Sequence, residues 1–137
     1  MRSRNYKNHK KMREPLRYVK PHFKCLEIGV WKGEFSAEIL KKQPKELHLI
    51  DPWLFQPEFG NKWYGGMRAK NQKDMDEIYR LVCNKFKKNQ NVNIHRGYSD
   101  KLYDSFQDNF FDWIYIDGNH EYEFVKNDLE NYYPKLV

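Results

Sequence analysis

The stretch "FKCLEIGVWKGEFSAEIL", Phe23 to Leu40, constrains the fold more than any other part of the chain. A short apolar run, "FKCLEI" (23–28), passes through two glycines four residues apart into an amphipathic segment, "EFSAEILKK" (34–42), with Phe35, Ile39 and Leu40 on one face. A buried strand that turns at once into a helix opens a βαβ unit, which demands a parallel sheet covered by helices. Gly29 lets the chain turn sharply out of the strand. Gly33 lets the next helix pack close, leaving backbone N–H groups facing a ligand.

The alternation continues to the end of the sequence. Pro44 stops the first helix, and "LHLI" (47–50) reads as a second buried strand. A helix over 72–88 follows, carrying Met75, Ile78, Tyr79, Val82 and Phe86 at helical spacing. "VNIHR" (92–96) is a third strand, and "SDKLYDSF" (99–106) a short helix capped by Ser99. "FDWIYI" (111–116) is a fourth strand, and 121–133 a last helix with Phe124, Val125, Leu129, Tyr132 and Tyr133. The expected class is therefore α/β, a parallel sheet with helices on both faces.

At 137 residues, 39% of them hydrophobic, the chain is expected to form one globular domain. No run approaches the ~18 apolar residues of a membrane span. The net charge of +6 suggests a nucleic-acid partner until it is divided along the chain. Residues 1–20 hold eight Lys or Arg against Glu14 alone, a net of +7, whereas residues 21–137 hold 17 basic and 18 acidic side chains, a net of −1. The basic character thus belongs to an N-terminal arm with no secretory signal, either solvated or touching phosphates, and the domain is taken as 21–137. Cys25 and Cys83 lack metal-ligand spacing and read as free thiols of a reducing, cytoplasmic setting.

In such sheets ligands sit beyond the carboxyl ends of the strands. All four strands end there in polar or glycine groups: Glu27, Gly29 and Gly33; then Asp51; then Gly97 to Ser99; then Asp117 to His120. The first turn reads E-x-G-x-x-x-G. A dinucleotide site wants G-x-G-x-x-G, and Trp31 stands where its middle glycine would admit a pyrophosphate. Glu27 repels phosphate but suits an ammonium group, and Asp51, 22 residues beyond Gly29, is placed to accept ribose hydroxyls. A nucleoside joined to an amino acid and lacking phosphates, S-adenosylmethionine, meets all three conditions. The plainer alternative is a tight strand-to-helix turn beside a solvated glutamate.

"LEIGVWKGEFS", "LIDPW" and "FDWIYIDGNHEYEFVKNDLENYYPKLV" together resemble S-adenosylmethionine-dependent methyltransferases of the Rossmann-like class. Within that class they resemble methyltransferase domain family 24, related to macrolide O-methyltransferases and cephalosporin-pathway enzymes. The D-G-x-H-x-Y-E pattern from Asp117 to Glu123, with Asp128 and Leu129, is the most specific part, and the likeness covers roughly residues 21–137. It implies that Glu27, Gly29 and Gly33 surround the methionine part, Asp51 the ribose, and Ser99 the adenine. It further implies an acidic position at Asp117 that helps hold a divalent cation such as Mg²⁺, and a histidine, His120, near the reacting hydroxyl of a small molecule or sugar. The alternative for His120 is a helix-start residue bonding the Asp117 loop. His48 and His95, inside strands, read as structural.

The same resemblance implies a seven-stranded sheet, of which the sequence supplies four strands and the helix after the fourth. The expectation is a cofactor-binding half, either a shortened form or a minimal domain, with the far side of strand four open to a second copy or a partner chain. The segment 52–71 carries Trp53, Phe55, Phe59, Trp63 and Tyr64, which form either a lid over the adenosine, hinged at Gly65 and Gly66, or a satellite core. A non-catalytic binding module and a nucleic-acid-associated protein remain the competing classes. Asp117 alone cannot satisfy a cation wanting about six oxygen ligands, so any Mg²⁺ affinity is expected to be weak.

Overall fold

The computed structural model describes residues 14–56, 69–118 and 121–137. Four parallel strands, β1 (Lys24–Ile28), β2 (Glu46–Asp51), β3 (Val92–Arg96) and β4 (Trp113–Ile116), form one sheet in the order β3-β2-β1-β4. Between them run α1 (Glu34–Leu40), α2 (Gln72–Phe86) and α3 (Ser99–Leu102), and α4 (Tyr122–Tyr132) follows β4. The central pair has Glu27 level with Leu49, while Glu27 is also level with Tyr115 of β4.

Alternation along the strands divides the core in two. Cys25, Leu47 and Leu49 face one side, where Phe35 and Ile39 of α1 and Met75, Ile78, Val82 and Phe86 of α2 pack on them. Leu26, Ile28 and Ile50 face the other, beneath Phe106, Phe111 and Tyr132. Leu16 and Val19, within the stretch read as an arm, are buried in the first core, so packing begins before residue 21. Residues 1–13 lie outside the described part.

The helices are shorter than the periodicity suggested. The first ends at Leu40, and Gln43 at φ 60° turns the chain ahead of Pro44. The second begins after Asn71, whose side chain accepts from the N–H of Asp74 at 3.0 Å, and ends at Phe86. Ser99 does not cap the third: it is the first helical residue, and the cap position is Tyr98. Four α-helical residues then tighten into a 3-10 turn at Tyr103–Ser105. On α4 the buried side chains are Asp128 and Tyr132, whereas Phe124 and Leu129, and Tyr133 just beyond its end, are exposed. A charged residue holds the inner face because it has a specific partner there.

Strand β4 is two residues shorter than read. Phe111 is instead bridged in parallel to Leu136, with the Phe111 N–H donating to the Lys135 carbonyl and the Val137 N–H to the Phe111 carbonyl, at 2.8 and 2.9 Å. Among the described residues no helix is long and apolar enough to cross a membrane.

His48 and His95 are partners across β2 and β3. His48 Nδ1 lies 2.9 Å from His95 Nε2, and His48 Nε2 lies 3.0 Å from a Glu46 carboxylate oxygen. Their rings stack at 5.2 Å, edged by Phe106, with Phe110 and Phe111 against His48. Burial, and then the neighbouring His48, hold His95 below its usual 6.5. The folded chain therefore takes up this proton less readily than the unfolded chain, so stability is lost as pH falls below 6.5 and on through the lowered value. Thermal unfolding followed from about pH 8 to about pH 5 should show that decline, and His95→Asn should flatten it.

Candidate functional site

The carboxyl ends of β1 and β2 lie side by side, and their acidic residues are buried, Glu27 at 1% exposure and Asp51 at 0%. Asp51 organises the loops around it. One carboxylate oxygen accepts the N–H groups of Val30 and Trp31 at 2.9 and 3.0 Å, and the other accepts that of Trp53 at 2.8 Å. Trp53 in turn donates its indole N–H to the Trp31 carbonyl at 2.9 Å. Both tryptophans hold left-handed backbone, φ 58° at Trp31 and 44° at Trp53, a conformation that bulky residues adopt only where the surroundings dictate it. Of the two readings of Trp53, lid or satellite core, the packing matches the second. Its ring has 0% exposure, and it packs in the first core against Tyr79.

Glu27 is bound to α1, where the Ser36 hydroxyl donates to its carboxylate. It is not the solvated glutamate of the plainer alternative. Gly33, at φ 78°, forms the cap of α1, and a Cβ there would lie 3.0 Å from the Phe86 ring. The demand at Gly29 is stronger. A Cβ there would sit 2.1 Å from the Asp117 carbonyl oxygen and 2.6 Å from the Gly118 nitrogen, so the turn after β1 and the turn after β4 meet backbone to backbone. The Asp117 N–H closes the junction by donating to the Ile28 carbonyl at 2.7 Å. Asp117 thus stands beside the glycine turn. His120 lies outside the described residues, as do Phe59, Trp63, Tyr64, Gly65 and Gly66.

The turn after β3 reaches the site from the opposite face. The Ser99 hydroxyl donates to Asp128 of α4, and the Tyr132 hydroxyl donates to the Ser99 carbonyl at 2.7 Å. Burial raises the Asp128 carboxyl, an effect that the Ser99 bond opposes and the nearby Asp100 reinforces. Burial, then the carboxyls of Asp128 and Asp100, push the Tyr132 phenol up. Ser36, Asp128 and Arg96 were not singled out as site residues from the sequence. Arg96, the last residue of β3, bonds Asp76 and the carbonyls of Pro52 and Trp53. A residue level with Asp51 at the end of the neighbouring strand was the one available signal.

No group of three or more His, Cys, Asp or Glu among the described residues could hold a metal ion. The Mg²⁺ implied by the resemblance therefore finds no ligand set among the described residues.

The model of methyltransferase domain family 24, described as a methyltransferase domain, matches residues 26–137. This chain belongs to that family. No curated protein matches its sequence. Solved structures share the fold at low identity. A spermidine synthase from Thermotoga maritima superposes with a TM-score of 0.60 at 16% identity, over 93% of this chain and 40% of that one. A SAM dependent methyltransferase from Archaeoglobus fulgidus gives 0.62 at 18%, over 93% and 46%. An S-adenosylmethionine dependent methyltransferase from Mesorhizobium loti gives 0.59 at 12%, over 93% and 48%. The chain thus spans less than half the length of each of these structures. Likeness at such identity speaks for a Rossmann-like fold, one that serves a methyltransferase and a spermidine synthase alike.

The Gly29 junction makes a direct prediction. Gly29→Ala combines an unfavourable φ of 90° with a backbone clash that no side chain can relieve. It should lower stability by about 3 kcal/mol or more, read as a drop in the urea midpoint at constant slope.

Proposed function

We propose that this domain binds S-adenosylmethionine at the carboxyl ends of β1 and β2 and serves methyl transfer to a hydroxyl of a small molecule or sugar. The observation that carries the reading is the pair of buried carboxylates, Glu27 and Asp51, flanking a glycine turn whose backbone is already held in place. Glu27 and the turn from Gly29 to Gly33 would receive the methionine part, with the glutamate answering the ammonium charge. Asp51 would receive the ribose hydroxyls, which would join the backbone donors on its carboxylate. Ser99, on the turn after β3, would lie at the adenine end. The bound cofactor supplies a methyl group on a positively charged sulfur. The acceptor oxygen would form its bond to that methyl carbon as the carbon–sulfur bond breaks toward sulfur, and His120 would take the hydroxyl proton, with Asp117 beside the reacting groups. No step is assigned to a metal. The free thiols of Cys25 and Cys83 suit a reducing, cytoplasmic setting.

Calorimetric titration with S-adenosylhomocysteine tests the site without requiring an acceptor. Asp51→Ala should weaken binding by at least about tenfold, since ribose hydroxyls left without their acceptor in a desolvated site cost about 1–3 kcal/mol. Circular dichroism should confirm that the variant is folded. Unchanged affinity in a folded variant would sink the assignment.

The outer side of β4 supports a proposal about partners. Its four residues, Trp113 to Ile116, are half-buried and include neither proline nor lysine, and among the described residues β4 pairs only with β1. We infer that this edge, at whose start Leu136 already bridges Phe111, accepts a further strand, which in this 137-residue chain comes from a second copy or a partner chain unless a following segment supplies it. Light scattering of the purified chain should give a mass above that of a monomer at high concentration. Proline at Ile114 or Tyr115, whichever points its N–H outward, should reduce it. A monodisperse monomer for the unmodified chain would refute the open edge.

A further inference from the structure

The left-handed backbone of Trp53 needs an explanation that the cofactor site alone does not give. Each of its polar groups is engaged. Its N–H donates to Asp51 and its indole N–H to the Trp31 carbonyl, while its own carbonyl accepts from Arg96 Nη2 at 3.2 Å and from Gln72 Nε2 at 3.0 Å. Arg96 also bonds the Pro52 carbonyl through Nε at 3.4 Å and Asp76 through Nη2. Gln72 ties the same group together, donating to Asp76 at 2.8 Å and accepting the Phe55 N–H at 2.9 Å. The guanidinium lies 4.5 Å over the Tyr79 ring, and that ring packs against Trp53 at 5.1 Å.

We propose that Arg96 is a positioning residue for the cofactor loop, acting through Trp53 on Trp31. The proposal rests on the cofactor site described above and adds a control element outside it. Arg96 is suited to this by shape: a planar fork donates to two successive carbonyls and a carboxylate while its face covers an aromatic ring, which lysine cannot do. Its position also argues against a purely structural role. The Arg96 and Asp76 side chains are 32% and 37% exposed, at the rim rather than in either core, so neither core is built on them. What they restrain is the carbonyl of Trp53, and through the indole N–H the carbonyl of Trp31. The same residue presents its N–H to Asp51. A guanidinium on β3 thus sets the backbone of the turn after β1 without approaching it.

Two readouts test the coupling. Hydrogen exchange at the Trp53 indole N–H, assigned by the signal that Trp53→Phe removes, should be slow in the native chain and about tenfold or more faster in Arg96→Lys, with the melting temperature nearly unchanged. Arg96→Lys and Trp53→Phe should each weaken S-adenosylhomocysteine binding by about tenfold, and the double variant should be no weaker than the worse single one, because both break the same chain of contacts. Should Trp53→Phe fail to fold, Gln72→Met takes its place in the cycle, and Trp31→Phe, Trp63→Phe and Trp113→Phe, each removing one of the other three indole signals, supply the assignment by elimination. Additive losses, or indole exchange unchanged by Arg96→Lys, would overturn the proposal. If the native chain binds no S-adenosylhomocysteine, the cofactor reading falls, and the indole exchange decides the Arg96 coupling by itself.

Discussion

The turns after β1 and β2 depend on one buried carboxylate. Asp51 takes three backbone N–H groups from two different loops, so a single side chain at the end of β2 fixes both the turn after β1 and its own exit from the sheet. Removing such a carboxylate from water is costly, and hydrogen bonds to a charged group, each contributing about 1.5–3 kcal/mol, offset that cost. The same bonds hold Trp31 and Trp53 in backbone conformations that cost about 1–3 kcal/mol each. Strain and its restraint are thus concentrated at one point.

The two faces of the sheet treat their polar residues differently. On the α1 and α2 face, Glu27 and Asp51 are held by a helix hydroxyl and by loop amides, so two acidic side chains are fixed beside a backbone turn. On the other face, Ser99, Asp128 and Tyr132 tie the turn after β3 to α4. The first arrangement fixes the turn after β1, and the second fixes the turn after β3. Both networks are internal to the fold, but each ends on a loop at the same edge of the sheet.

Much of the scaffold was legible because it is written locally. The apolar runs of β1 to β4 and the helical spacing of Met75, Ile78, Val82 and Phe86 need no distant information. Gly29 could be flagged as a turn, but the reason for it, a carbonyl of Asp117 at 2.1 Å from any Cβ, depends on which strand lies next to β1. Asp128 was harder. A carboxylate on an amphipathic helix reads as a solvated residue, and only its contact with Ser99 makes it part of the inner face. Arg96 was obscured in the same way, since a charge at a strand end has an ordinary surface reading, whereas for Trp53 the core alternative already stood beside the lid. Local pattern placed the acids and glycines, whereas residues that act by holding another residue's carbonyl leave no periodic trace.

The order β3-β2-β1-β4 carries a consequence for how the chain reaches this state. Adjacent strands β1, β2 and β3 pair across single crossovers, but β4 must return to β1. The Lys24 N–H meets the Asp112 carboxylate across a sequence separation of 88 residues. Closing a loop of that size costs entropy before any contact repays it, so pairings of this kind form late. The backbone junction between Gly29 and Asp117 is part of that last closure. A chain can therefore build its β1–β2–β3 half, with Glu27 and Asp51 in place, before the turn after β1 meets the turn after β4. The Asp117 N–H, which donates to the Ile28 carbonyl across the same junction, would then be among the last to gain protection from exchange.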